Sequence, residues 1–259
     1  IRSLYNKYGG EQFSKWRKEG FQKIKPKLLE SNPKMALKEI VIPEQISIDI
    51  SEIIGAYLGD GTLTEYFIRI SGDYKYDKPY FEYLKNIVKT SFNLDSVIKE
   101  TWRNSGLLLE ICSKSLSEYF QSLNLKCGNK ISNCNSIPDE IMGNPNLFYA
   151  CLRGLNDTDG CIGKDGEVLC IRFRNENQML MEQLRNSSYL KDLFGIRNNK
   201  TEIGTRNQTS IKTFFSLIGS SNPRHIVRYL EAKKGNLIYK ADVLKYYKNY
   251  PELKLPYLE

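Results

Sequence analysis

The chemistry of this chain is most easily argued from two aspartates. Asp60 and Asp159 each close an apolar segment, IIGAYLGDG at 53–61 and LRGLNDTDG at 152–160, and glycine follows each acid directly. Gly55 and Gly59 stand four apart in the first segment, Gly154 and Thr158 four apart in the second. Residues so spaced share one helix face, and small ones let two helices approach closer than the usual ~8–10 Å. If these faces pack together, the acids emerge side by side. Adjacent carboxylates repel unless a cation stands between them. Mg²⁺ accepts one or two carboxylates together with phosphate oxygens and water, and metal held that way can activate water against a phosphodiester. The plainer reading is two aspartates that cap local turns. The glycine after each acid is expected to take left-handed backbone at a helix C-terminus.

Few other chemistries are open. There is a single histidine, His225, so nucleases built on paired histidines and triads with a histidine base have little to work with. The six cysteines contain no CxxC pair, which argues against a structural zinc site. Several, such as Cys151 and Cys170, sit in apolar runs where a reduced thiol acts as a small hydrophobe. Over 259 residues, 41% hydrophobic and 12% aromatic composition supports a packed core. No apolar run approaches the roughly 18 residues of a membrane span, and no signal-peptide core opens the chain. A cytoplasmic or organelle-matrix protein is expected, neither secreted nor membrane-bound. With no Cys or Ser at position 1 and no terminal Asn, a complete self-splicing intein is not expected.

The net charge of +8 is unevenly spread: residues 1–40 hold ten basic and four acidic side chains. Phe13, Trp16, Phe21 and Ile24 recur there near helical spacing, which predicts a basic amphipathic helix. It either docks on the core with a solvated face or reaches out to neutralise phosphates.

The elements around the acids repeat in one order. After the first segment come a strand at 64–71, a helix at 80–92, a hairpin of 97–101 with 106–112, and a helix at 115–123. After the second come a strand at 166–174, a helix at 178–194, a strand at 203–211 and a helix at 212–218. Two copies of helix, strand pair, helix, strand pair, helix, joined by a stretch containing Pro138, make an α+β molecule with pseudo-two-fold symmetry. The expected divisions are a basic N-terminal extension and linker (1–44), the repeats (45–135 and 136–231) and a C-terminal tail (232–259).

The two motifs, with Gly55, Asp60, Gly61 and Gly154, Asp159, Gly160 in register, resemble the LAGLIDADG homing endonucleases in their single-chain form with two motifs. Gly72, Asp73, Asp77 and Tyr80, then Ile137 and Pro138, and the segment from Ile218 to Pro223 extend the likeness. It implies two αββαββα repeats, packed through the motif helices, with saddle-shaped antiparallel sheets lying on DNA. It implies a monomer that cuts both strands of long asymmetric double-stranded sites with Mg²⁺, leaving short 3′ overhangs, in the service of intron or intervening-sequence homing. Mn²⁺ or Ca²⁺ can occupy the same sites. Carried over, Asp60 and Asp159 match the metal-binding acids, and the backbone carbonyls before them fall at Gly59 and Thr158. Lys114 and Lys212 are candidates by repeat position for the water-ordering basic residues, and equally fit surface lysines at helix starts. Leu58 replaces the first aspartate of the motif in copy one, and Asn156 is polar where an apolar residue is usual; neither falls on a metal-binding position.

Alternate side chains of a β-ribbon face one way and can enter the major groove. Arg69, Lys99, Thr101 and Arg103 in the first half, and Arg172, Arg174, Lys200, Glu202 and Arg206 in the second, are the candidate DNA contacts. The rival readings are an RNA-binding maturase that assists splicing of intron RNA, and a DNA-binding regulator on the same fold without cleavage. Intact Asp60 and Asp159 favour the nuclease.

Overall fold

A helix that is apolar almost all round is driven into the interior. The segment ending at Asp60 behaves this way in the computed structural model, which describes residues 40–101, 106–191, 193–194 and 200–253. The basic segment 1–39, Arg103 and residues 254–259 lie outside the described residues. Helix α1 (Ile48–Asp60) is capped by the Ser47 hydroxyl, which accepts from the Ile50 amide, and is buried from Ile50 through Gly59. It leads without a loop into β1 (Gly61–Leu63) and β2 (Phe67–Asp73). Then follow α2 (Lys78–Phe92), β3 (Val97–Glu100), β4 (Gly106–Cys112) and α3 (Lys114–Ser122). All pairings are antiparallel, in the order β1-β2-β4-β3.

A short helix α4 (Asp139–Met142) follows Pro138, and α5 (Pro145–Asp159) begins the second half, capped by the Asn144 side chain. The order then repeats as β5 (Gly160–Asp165), β6 (Val168–Arg174), α6 (Gln178–Asn186), β7 (Glu202–Thr205) and α7 (Gln208–Leu217). Sheet two runs β5-β6-β7, so β7 stands where β4 stands in sheet one. The counterpart of β3 would fall just before β7, where 195–199 lie outside the described residues. Helix α8 (Pro223–Lys233) and the tail, with a 3-10 turn at Lys240–Asp242, α9 (Val243–Tyr247) and a second turn at Pro251–Leu253, close the chain. Val243 and Tyr250 of the tail pack with Val227 and Ile238 in a small cluster of their own, and Lys240 pairs with Asp73 at 2.8 Å.

Each sheet turns one face to the helices. Ile68, Ile70, Leu107, Leu109 and Ile111 point inward and join Tyr80, Phe81, Leu84 and Phe120 in one continuous core, while Arg69, Glu110 and Lys99 occupy the opposite face. Of the cysteines, Cys151 and Cys170 are buried and Cys112, Cys134 and Cys161 exposed; all six are free thiols. Among the described residues no helix is long and apolar enough to cross a membrane.

Three local expectations need correction. The helix expected over 178–194 stops at Asn186, where Ser187 turns extended and its hydroxyl accepts from the Tyr189 amide. The strand expected over 203–211 ends at Thr205, because the Asn207 side chain accepts from Ser210 and starts α7 early. Gly61 and Gly160 are extended (φ −93° and −79°), not left-handed. What calls for glycine there is space. A Cβ at either position would lie 2.4–2.5 Å from the carbonyl oxygen of Tyr57 or Asn156, since the chain leaves the helix directly into a strand.

The motif helices cross at their small residues. A Cβ on Gly55 would meet the Cys151 carbonyl oxygen at 1.9 Å, and one on Gly154 the Glu52 carbonyl oxygen at 2.1 Å. Glu52, fully buried, is held across this contact by Arg153 (2.6 and 2.9 Å) and by the Tyr83 hydroxyl (3.0 Å). Burial raises the Glu52 pKa against the pull of Arg153. Arg153→Met strands that carboxylate, and urea unfolding at pH 7 is expected to show a loss of about 3–5 kcal/mol. Because the Glu52 pKa is raised, the loss shrinks as pH falls and the carboxylate takes up a proton; a loss that does not change as pH falls would assign the effect to packing.

Candidate active site

Because α1 and α5 pack along their small faces and end in register, Asp60 and Asp159 meet. Their carboxyls are within hydrogen-bonding reach of each other at the end of the helix contact, with Asp60 exposed and Asp159 half-buried. Burial and then the Asp60 charge push Asp159 up to about 6, against a hydrogen bond from the Asn175 side chain and the pull of Lys130. Burial also raises Asp60, against the pull of Lys130 and Arg224. An open cleft of about 300 Å³ beside Asp159 is lined by Gly59, Lys130, Arg174 and Asn175 among others.

A carboxyl whose folded pKa lies above its unfolded value destabilises the fold once pH passes the unfolded value. The penalty grows from about pH 4 and is complete above about pH 6. Asp159→Asn is therefore expected to stabilise the metal-free protein at pH 7.5 by ~1–2 kcal/mol. The full shift would be worth about 3 kcal/mol, but Asp159 keeps some solvent contact and Lys130 loses a counter-charge. Urea unfolding in EDTA at pH 7.5 and 4 checks this, and a gain of equal size at pH 4 would overturn it.

The amine at the acid pair is Lys130. Its Nζ donates to the carbonyl oxygens of Tyr57 (3.2 Å), Leu58 (3.1 Å) and Gly59, and both acids attract it. Burial lowers its pKa against that attraction. Lys114 instead sits exposed at the start of α3, paired with Glu118 at 3.1 Å, and Lys212 is exposed on α7. Sequence reasoning missed Lys130, which comes from the loop between α3 and α4. A bridge from Gly128 to Leu63 and the Asn135 side chain, which bonds Lys126 and the Tyr57 hydroxyl, fix that loop against α1. Nothing local in the sequence announces such a docking. Asn175 could have been found by aligning the repeats, since Asp73 ends the matching strand of the first half.

The other helix end is finished differently. Asp157, the acid retained where copy one has Leu58, is fully buried and accepts from the Ser221 and Asn222 amides (2.6 and 3.0 Å) and the Ser220 hydroxyl. It caps the turn into α8. Its carbonyl oxygen takes Arg224 and Asn222, both at 3.3 Å, and Arg224 is locked to Asp77 at 2.8 Å. Asn156 is buried and faces His225 Nδ1 at 3.4 Å, so its polarity belongs to this network; burial holds His225 well below its usual pKa.

The expected DNA contacts lie mostly on outward strand faces. Arg69 and Lys99 converge on Glu110, and first Lys99, then Arg69, hold that carboxyl down at about 2. Thr101 spends its hydroxyl on Gly106, closing the hairpin. Arg172 is half-buried opposite Gly204, and Arg174 is exposed, 3.7 Å from Glu176. Lys200 is exposed, Glu202 sits opposite Arg174, and Arg206 bonds the Asp165 carbonyl at 3.2 Å. The outer sheet faces are thus basic but laced with acids.

Among the described residues no cluster of three or more His, Cys, Asp and Glu side chains converges. The acid pair still fits a hard divalent ion, because all its donors are oxygens and such an ion fills its remaining positions with carbonyl, phosphate and water.

No family model matches the chain, and no curated protein matches it. Among solved structures it is similar to I-DmoI in complex with DNA and Mn, at 19% identity over 67% of this chain and 96% of that one, with a TM-score of 0.47. It is also similar to the N-terminal LAGLIDADG domain of DUF199/WhiA (16% identity, 69% and 86% of the two chains, TM-score 0.46). Full-length DUF199/WhiA from Thermatoga maritima gives 14% identity over 82% of this chain and 69% of that one, with a TM-score of 0.46. With the first repeat complete, the second matching it in all but one strand among the described residues, and the motif helices packed glycine to backbone, the chain is α+β with the fold that the resemblance to the LAGLIDADG family implies.

Proposed function

We propose that this protein is a divalent-metal-dependent endonuclease that cuts both strands of a long, asymmetric double-stranded DNA site, leaving short 3′ overhangs, and that it serves intron or intervening-sequence homing. The observation that carries the reading is the meeting of Asp60 and Asp159 at the end of a contact built from small residues. Two carboxyls whose pKa values are raised, Asp159 by burial and by the Asp60 charge and Asp60 by burial, are poorly placed for stability and well placed for a cation. Mg²⁺, with Mn²⁺ or Ca²⁺ able to replace it, would be held by Asp60, Asp159 and the carbonyls of Gly59 and Thr158. When bound, such an ion activates water and stabilises the leaving oxygen. Lys130 is the candidate to orient water on the Gly59 side, in place of Lys114 or Lys212.

Arg69, Lys99, Arg172, Arg174, Lys200 and Arg206 supply positive charge for the phosphates, and base contact by an arginine is worth ~1–3 kcal/mol. One chain carries both acids, so the site is complete in a monomer. The experiment is cleavage of a large double-stranded DNA pool with Mg²⁺ and with EDTA, followed by sequencing of the ends. Defined Mg²⁺-dependent cuts with short 3′ overhangs are expected. Tight retention of DNA, or of intron RNA, with no cuts would replace this reading with a regulator or a maturase.

A further inference from the structure

Lys130 occupies a carbonyl oxygen beside the acid pair. A lysine ammonium has three donors, and here they meet the carbonyl oxygens of Tyr57, Leu58 and Gly59 while both acids attract the charge. Of those oxygens, Gly59's is one of the donors proposed above for the metal. The loop that carries the lysine is anchored without its amine: Gly128 N donates to Leu63 O at 3.0 Å, Asn133 to Cys127 O at 2.7 Å, and Asn135 to Lys126 O at 2.9 Å. The position of the loop therefore does not depend on the amine, and Lys130 lines the adjoining cleft.

We infer that the Lys130 ammonium is a built-in competitor for the divalent cation on the Gly59 side of the acid pair. The DNA-free protein then holds metal weakly there, and the ion enters when a phosphate draws the amine away. The competition is one-sided. At the other helix end the basic group is Arg224, which is buried, locked to Asp77 and bonded to the Asp157 carbonyl, one residue before the Thr158 carbonyl proposed as a ligand. The two halves of the site are thus expected to fill unequally in the absence of DNA.

This inference rests on the acid pair being the metal site, and the test separates the two. Mn²⁺ binding to the DNA-free protein, followed by the paramagnetic resonance of free Mn²⁺, is compared in wild type, Lys130→Met, Lys130→Gln, Arg174→Met and Asp159→Asn. Both Lys130 variants are expected to bind roughly tenfold tighter or better. Arg174→Met, which removes a positive charge from the wall of the same cleft, is expected to gain no more than about threefold, since the Coulomb term falls with distance and solvent. Asp159→Asn is expected to lose the ion. As a second readout, Ca²⁺ should raise the unfolding midpoint of Lys130→Met more than that of wild type. Unchanged or weaker binding in the Lys130 variants, or an equal gain in Arg174→Met, overturns the competition while leaving the acid pair standing. Mn²⁺ binding that ignores Asp159→Asn overturns the reading of the site itself.

Discussion

Replacing Gly154 with alanine is expected to abolish the folded state. The added Cβ would lie 2.1 Å from the Glu52 carbonyl oxygen and 2.8 Å from the Ala56 nitrogen, and both belong to the backbone of the facing helix. No rotamer relieves a clash with backbone, so the helices must separate. Separation opens gaps around Ile53, Ile54, Leu152 and Leu155, all at or below 2% exposure. Ordinary overpacking costs about 1–3 kcal/mol and large-to-small core changes about 2–5 kcal/mol. Incurring both approaches the whole stability of a domain. Gly55→Ala should do the same, because its Cβ would lie 1.9 Å from the Cys151 carbonyl oxygen. Gly143→Ala is the control: its nearest contact is 3.5 Å and its φ of −79° suits alanine, so stability should be unchanged or slightly higher. Circular dichroism and urea unfolding decide, and a Gly154→Ala protein of wild-type stability would refute the close crossing.

Neutralising either acid is expected to separate cleavage from binding. Asp60→Asn and Asp159→Asn keep the shape of the site and remove half its charge. Metal contributions of several kcal/mol translate, at about 1.4 kcal/mol per tenfold, into a rate loss of roughly a thousandfold. DNA affinity should hold or rise a few-fold, because a negative charge facing phosphates has gone. Single-turnover cleavage in Mg²⁺ and filter binding in EDTA, both on the site recovered from the pool, make the comparison. Both variants should stay folded, and Asp159→Asn should be the steadier of the two at pH 7.5. Cleavage at wild-type rate in either variant would remove the acids from the mechanism.

Much of the architecture was legible because it rests on local periodicity. β-branched and aromatic enrichment marked β2, the turn residues 104–106 marked β3 and β4 as a hairpin, and the 3.6-residue pattern marked α2 and α3, since these signals are written into consecutive residues. The internal repeat then carried Asp60 and Asp159 to equivalent places, and the small residues four apart indicated the face on which their helices meet. Where short polar side chains compete with the pattern, as Ser187 and Asn207 do, capping overrode periodicity and the boundaries moved. The glycines after the acids were assigned to the right places for the wrong reason: Gly61 and Gly160 answer a steric demand that appears only once a strand leaves the helix directly.

Repeat register and helical spacing are properties of the chain read along its length, and they were enough to put two acids at one end of a paired helix contact. What surrounds those acids is set by how distant segments pack. Lys130 reaches Gly59 from a loop 71 positions away, Arg224 is tied to Asp77 across 147, and Glu110 draws Arg69 and Lys99 together through strand register. Charges on distant segments are set against one another by how loops close and strands align, and that depends on the packing of the whole core rather than on the spacing of any one stretch.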